Sequence, residues 1–176
     1  MHIILFPPGG CGSVVSAVID PVGAVFVPSG HIIFGSRRRL FQKKFYQTHL
    51  TDEDRDKALQ ESTCKSLVSH AYEYHVNRRH DYILIDCDDP NYIPWIQSRI
   101  EKIYNVDNAN DMPAQIKKFT MVTKPHTNKI IRVSDIVEGR LIQVLKQFVD
   151  TPLNEELYNK WLAMIHEKFP TLQKNQ

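Results

Sequence analysis

The stretch "HIILFPPGGCGSVVS", residues 2–16, constrains the fold of this chain more than any other. Its apolar run, residues 3–6, is of the kind that parallel sheets cover on both faces. Pro7, Pro8, Gly9, Gly10 and Gly12 then make a turn in which β-branched residues would be strained. Residues 14–19 follow as a short helix that stops at Asp20 and Pro21. A strand running through a glycine turn into a helix can hold a phosphate, because backbone N–H groups form an anion nest at the positive end of the helix. The same residues also read as a tight turn needed only for strand-to-helix geometry. The common phosphate loop closes with Gly-Lys-Ser/Thr, whereas this chain has no lysine between Met1 and Arg37.

Beyond this unit, "AVFV" (24–27) and "HIIF" (31–34) are two short strand candidates. Residues 36–50, "SRRRLFQKKFYQTHL", read either as a helix capped by Ser36 with Phe41 and Phe45 on one face, or as a strand leading into a loop. Thr51 is a good N-cap, with Asp52, Glu53 and Asp54 in the first turn where the helix dipole favours them. Cys64, Leu67, Val68, Ala71, Tyr72 and His75 then keep helical spacing, so one long helix is expected to run to near Asn77. "DYILID" (81–86) is a buried strand, followed by a helix with Ile96, Ile100, Ile103 and Tyr104 inward. A loop at 105–111, a short helix from Asp111, a strand at 129–133 and helices at 141–149 and 154–169 complete the pass. Tyr158, Trp161, Leu162, Ile165 and Phe169 form the inner face of the last. This alternation implies one α/β domain over residues 1–176, with a central, mostly parallel sheet of about four to five strands flanked by helices.

Composition supports a globular chain and narrows its partners. Of 176 residues, 42% are apolar and 24% charged, and the net charge is +2. That near-neutral balance supplies no global field for nucleic acid or anionic lipid, so nucleic acid is not expected as a partner. No apolar run approaches the roughly 20 residues of a membrane helix. The N-terminus goes straight into a strand without a secretory signal. Cys11, Cys64 and Cys87 make no disulfide framework or paired zinc spacing, so a reducing, cytoplasmic setting is expected.

Ligands of parallel sheets sit beyond the carboxyl ends of the strands. That rule gathers the glycine turn, "DCDDP" (86–90) and "RVSD" (132–135). Backbone donors of Gly9, Gly10, Cys11, Gly12, Ser13 and Val14 would face an anion, with the hydroxyls of Ser13 and Ser16 beside them. Asp86, Asp88 and Asp89 read either as magnesium ligands or as a strand cap and turn. Arg37, Arg38, Arg39, Lys43 and Lys44 read either as a phosphate clamp or as a solvated basic face. His49 stands before a capped helix and can be read as a general base. His31, His70, His75, His80, His126 and His166 show no metal-specifying spacing. Cys11 lacks the arginine that a nucleophilic cysteine loop would carry, Val14 and Val15 standing in its place.

Several of these pieces, in this order, resemble the sulfotransferase family. "PPGGCGSVVS" resembles its glycine- and serine-rich loop after the first strand. "QTHL" (47–50) is similar to its Lys-Thr-His-Leu segment, and "ILIDCDDP" to its strand ending in Arg-Asp-Pro. The region from "IIRVSDIVEGR" to "NEELYNKW" looks like its closing strand, acidic turn and helix. The resemblance implies a P-loop-related α/β fold and a phosphoadenosine phosphosulfate donor held by residues 9–14 and Ser13. It makes His49 the base that takes the proton of a hydroxyl or amine acceptor. Gln47 stands where the family has a lysine and Asp88 where it has an arginine, leaving Arg37, Arg38, Arg39 or Arg132 to grip the second phosphate. The expectation is a small group-transfer protein binding a phosphorylated adenine nucleotide, with ATP as the alternative donor. The competing expectation is a scaffold of the same kind that has lost catalysis and binds a protein partner.

Overall fold

A computed structural model of the chain describes residues 1–22, 24–26, 32–46, 50–104 and 111–173. Its elements are β1 (His2–Leu5), α1 (Gly12–Ile19), β2 (Val25–Phe26), β3 (Ile32–Ile33), α2 (Ser36–Phe45), α3 (Asp52–Glu61), β4 (Ser66–Ser69) and α4 (Tyr72–Asn77). There follow β5 (Tyr82–Asp86), α5 (Ile93–Tyr104), α6 (Met112–Thr123), β6 (Ile130–Arg132), α7 (Val133–Val137), α8 (Leu141–Leu145) and α9 (Glu155–Lys168). Four strands form one parallel sheet in the order β4-β1-β5-β6. The chain runs from β1 out to β4 and then crosses back over β1 to β5, so its direction of winding reverses at β1. The fold is α/β, with helices on both faces of the sheet.

Side chains alternate across the sheet because successive residues of a strand point to opposite faces. Ile4, Ile83, Ile85 and Ile131 join the larger core with Val14, Val15 and Val18 of α1, Ile96 of α5 and Trp161 of α9. Ile3, Leu5, Tyr82 and Leu84 turn to the other face, where Phe119 of α6 and the partly buried Leu59, Tyr72 and Val76 cover them. Strands buried on both sides explain why β1 and β5 read as continuous apolar runs.

The long helix expected from Thr51 to near Asn77 is instead helix, strand and helix. Thr51 does cap α3: its hydroxyl accepts from Asp54 N–H while the Asp54 carboxylate accepts from Thr51 N–H. But α3 buries no residue and stops at Glu61. Residues 66–69 find their backbone partners on β1, with Ile4 opposite Val68, rather than within a helix. A four-residue segment matches both the helical and the strand period, and neighbouring β1 decides between them. Of the two short strand candidates, β2 and β3 pair with each other, Val25 opposite Ile33, in a two-stranded antiparallel ribbon apart from the main sheet. The stretch after Ser36 is helical, and the helix that starts at Met112 is a full 12 residues rather than short.

Candidate functional site

Pro7 to Gly10 form a type II turn. Gly10 N–H donates to Pro7 O at 3.0 Å, Pro8 takes the second position, and Gly9 has the positive φ (80°) that the third position requires. The Gly10 amide is therefore spent inside the turn and does not face an anion. Cys11 follows in the left-handed region, at φ 61°, and its carbonyl accepts from Val14 and Val15 N–H. Val14 packs its side chain into the core. The amides of Cys11, Gly12 and Ser13 have no acceptor among the described residues, and they are the donors left at the start of α1. The PPGG segment is a turn, and the amides without an acceptor among the described residues lie just after it.

The turn is packed hard on the β5 side. A Cβ on Gly9 would come within 2.9 Å of Ile96 and Ile100, and one on Gly10 within 2.8 Å of Cys87 Sγ. On the β4 side a cavity of about 290 Å³ opens, lined by Phe6, Gly9, Ser13, Gln42, Lys43, Tyr46, Val68 and His70. It lies beyond the carboxyl ends of β1 and β4, with α2 as its third wall. Lys43 brings to this cavity the ammonium that the glycine turn lacks in sequence. Gln42 also lines the cavity, and its Nε2 is buried without a hydrogen-bond partner among the described residues.

His70 follows β4 directly. Its Nδ1 lies 2.8 Å from Phe6 O; a carbonyl only accepts, so Nδ1 carries the proton and Nε2 keeps the lone pair. The ring leans on Phe6, with centroids 4.2 Å apart. Desolvation of the ring against Phe6 lowers its pKa from 6.5 and the bond to Phe6 O raises it, while the residue as a whole stays exposed. In its neutral form the His70 ring, with Nδ1–H given to Phe6 O, holds the lone pair on Nε2. Nearby, the Tyr46 hydroxyl donates to Val68 O, and burial pushes this phenol up to about 12.

The other expected residues fall elsewhere. Ser16 Oγ lies 2.8 Å from Ser66 Oγ in the buried α1–β4 seam, so its hydroxyl joins helix to strand instead of facing an anion. Cys11 is buried, and its thiol pKa is raised chiefly by that burial, against the opposing effect of Arg99. An arginine does reach this loop, from α5: Arg99 Nη1 donates to Gly9 O and to Cys11 Sγ. Asp86 Oδ1 accepts from Asp88 N–H and Oδ2 from Lys124 Nζ at 2.8 Å, so "DCDDP" is an engaged strand end. Among the described residues no cluster of three or more His, Cys, Asp or Glu is placed to hold a metal ion, and no helix is long and apolar enough to cross a membrane. Arg39 is exposed, while the side chains of Arg37 and Arg38 and all of His49 lie outside the described residues. Sequence reasoning missed His70, Gln42, Tyr46 and Arg99. A strand at 66–69 would have signalled His70, since a residue just beyond a parallel strand's carboxyl end is a site position.

The chain was compared with protein families, curated proteins and solved structures, and it matches none of them.

Proposed function

We propose that the cavity beside the glycine turn binds the anionic end of a phosphorylated adenine nucleotide and that His70 is the base for transfer to a hydroxyl or amine acceptor. The observation that carries this reading is the meeting, at one cavity, of Ser13 at the start of α1, a lysine and a histidine whose Nδ1–H is given to Phe6 O. Amides 11–13 and the Ser13 hydroxyl would hold the anion, and Lys43 would balance its charge. The resemblance to sulfotransferases makes the transferred group sulfuryl and the donor phosphoadenosine phosphosulfate, with ATP as the alternative.

The described residues that line the cavity fit one anionic head. A cavity of about 290 Å³ is near the lower end of small-molecule sites, so the adenosine would extend toward solvent along α2. When bound, such a donor supplies an electrophilic sulfur or phosphorus. His70 Nε2 takes the acceptor's proton, and the bond from Nδ1–H to Phe6 O stays in place and steadies the resulting imidazolium. Lys43 and the amides of residues 11–13 stabilise the charge that develops on the departing phosphate oxygen. His70 takes the role expected of His49.

Thermal-shift titration with adenosine 3′,5′-bisphosphate and with ATP tests binding. Ligand at 100 times its dissociation constant adds about 2.7 kcal/mol to stability. Lys43→Met and Ser13→Ala should each weaken binding about tenfold, the size of one charge-assisted contact. No shift with either nucleotide removes the proposal. Binding by wild type without turnover of any donor instead favours the non-catalytic scaffold.

A further inference from the structure

The side chains around the cavity differ in whether they can hold a group in transit. Ser13, Lys43, Tyr46 and His70 line it with a heteroatom of nucleophilic type. Lys43 is an ammonium, a donor with no lone pair. The Tyr46 hydroxyl donates to Val68 O, and burial pushes the phenol up to about 12, so its oxygen keeps its proton. Ser13 makes no hydrogen bond to a base among the described residues, and a hydroxyl without a base is a weak nucleophile. Outside the lining, Cys11 is buried, and burial raises its thiol. His70 differs from all of these. Its Nδ1–H is held by Phe6 O at 2.8 Å, the residue is exposed, and the neutral ring has its Nε2 lone pair without loss of a proton.

We propose that His70 is the nucleophile of this site before it is the base: Nε2 takes the sulfuryl or phosphoryl group from the donor, carries it as a covalent histidine intermediate, and passes it to the acceptor. The inference rests on the reading of this cavity as a donor site. The size of the cavity leads the same way. At about 290 Å³ it fits one anionic head beside His70, near the lower end of small-molecule sites, so donor and acceptor use the same space in turn. A group that waits on the protein lets the first leave before the second arrives.

The two half-reactions balance. In the first, the Nε2 lone pair forms a bond to the donor's sulfur or phosphorus, and the bond from that atom to the bridging phosphate oxygen breaks. Its electron pair leaves with adenosine bisphosphate or with ADP, and Lys43 offsets the charge that appears there. The ring is then substituted on Nε2 and protonated on Nδ1, and its positive charge lies next to the anionic group it carries. Phe6 O still accepts from Nδ1–H. In the second half, the acceptor's oxygen or nitrogen bonds to sulfur or phosphorus, the bond to Nε2 breaks, and the pair returns to the ring. Nε2 then takes the acceptor's proton and gives it to water. The desolvation against Phe6 that lowers the ring's pKa makes it the better leaving group in this step.

Labelling of the full chain tests this without an acceptor. The protein is incubated with phosphoadenosine phosphosulfate labelled in its sulfur, or with ATP labelled in its γ-phosphate. Digestion is kept alkaline, because acid cleaves the bond from phosphorus or sulfur to a ring nitrogen. Expected is label from one of the two donors, mapped by mass spectrometry to His70. The same protein should catalyse exchange between that donor and its leaving nucleotide, which direct transfer to an acceptor cannot do. His70→Asn should lose both label and exchange while nucleotide still raises its melting temperature. Label mapped to Ser13 or any other residue overturns the proposal, as does labelling that persists in His70→Asn. Wild-type protein that binds adenosine bisphosphate or ATP yet shows neither label nor exchange also overturns it and leaves the nucleotide site standing. Absent binding defeats the proposed function, and the intermediate with it.

Discussion

Arg99 and Cys11, 88 residues apart in sequence, meet where the guanidinium of α5 lies 2.5 Å from the sulfur in the glycine turn. The same nitrogen donates to Gly9 O at 3.1 Å, and the guanidinium lies over the Trp95 ring at 4.9 Å. One cation thereby ties α5 to the turn without lining the cavity, and the turn keeps its shape while its β4 side stays open.

Removing that tie should loosen the turn. Arg99→Met is expected to cost about 1–3 kcal/mol, the range for leaving buried polar groups unpaired. It should also weaken adenosine bisphosphate binding. Urea midpoints and calorimetric titration measure the two effects, and an unchanged midpoint would show that Arg99 holds nothing in place.

Gly12 has no room for a methyl group: a Cβ there would come 2.2 Å from the Phe6 ring. Since Phe6 also supports the His70 ring and accepts its proton, Gly12→Ala should disturb the site as well as the core. A loss of about 1–3 kcal/mol, as in other overpacked cores, is expected with loss of nucleotide binding. Wild-type melting and affinity in this variant would contradict the packing described here.

Ser16 separates a structural role from a ligand role. Ser16→Ala breaks the buried bond to Ser66 and should lower stability by about 1 kcal/mol while leaving nucleotide affinity intact. Paired denaturation and binding curves decide the matter: a tenfold loss of affinity at constant stability would return Ser16 to the anion site.

Acid should destabilise the chain well above the carboxylate range. His75 is depressed in the fold, from 6.5 to about 3, first by burial and then by His80. Between those values the unfolded chain binds a proton that the folded chain refuses. Stability is therefore unaffected by this group above about pH 6.5 and falls on acidification, by up to about 1.4 kcal/mol per pH unit. His70 is depressed too, and its effect has the same sign. Urea unfolding between pH 7 and pH 4.5 should show this slope, and His75→Gln should flatten it; an equal slope in both proteins would assign the acid sensitivity to other groups.

The sequence alone determined the elements whose residues speak for themselves. β1 after His2 and β5 before Asp86 are apolar runs, so their burial on both faces was legible, as were the PPGG turn, the Thr51 cap and the inner face of α9. These signals are local: they depend on φ preference, capping and period. Residues 66–69 carry no such signal, since "SLVS" fits a helix or a strand, and only pairing with β1 made them β4. The site followed from that pairing, which set His70 beside Phe6 and brought Lys43 and Gln42 of α2 over the glycine turn. Tertiary structure alone decided this, because the partners of Gly9 and Phe6 lie far along the chain, and the energy of a contact is written in neither residue by itself.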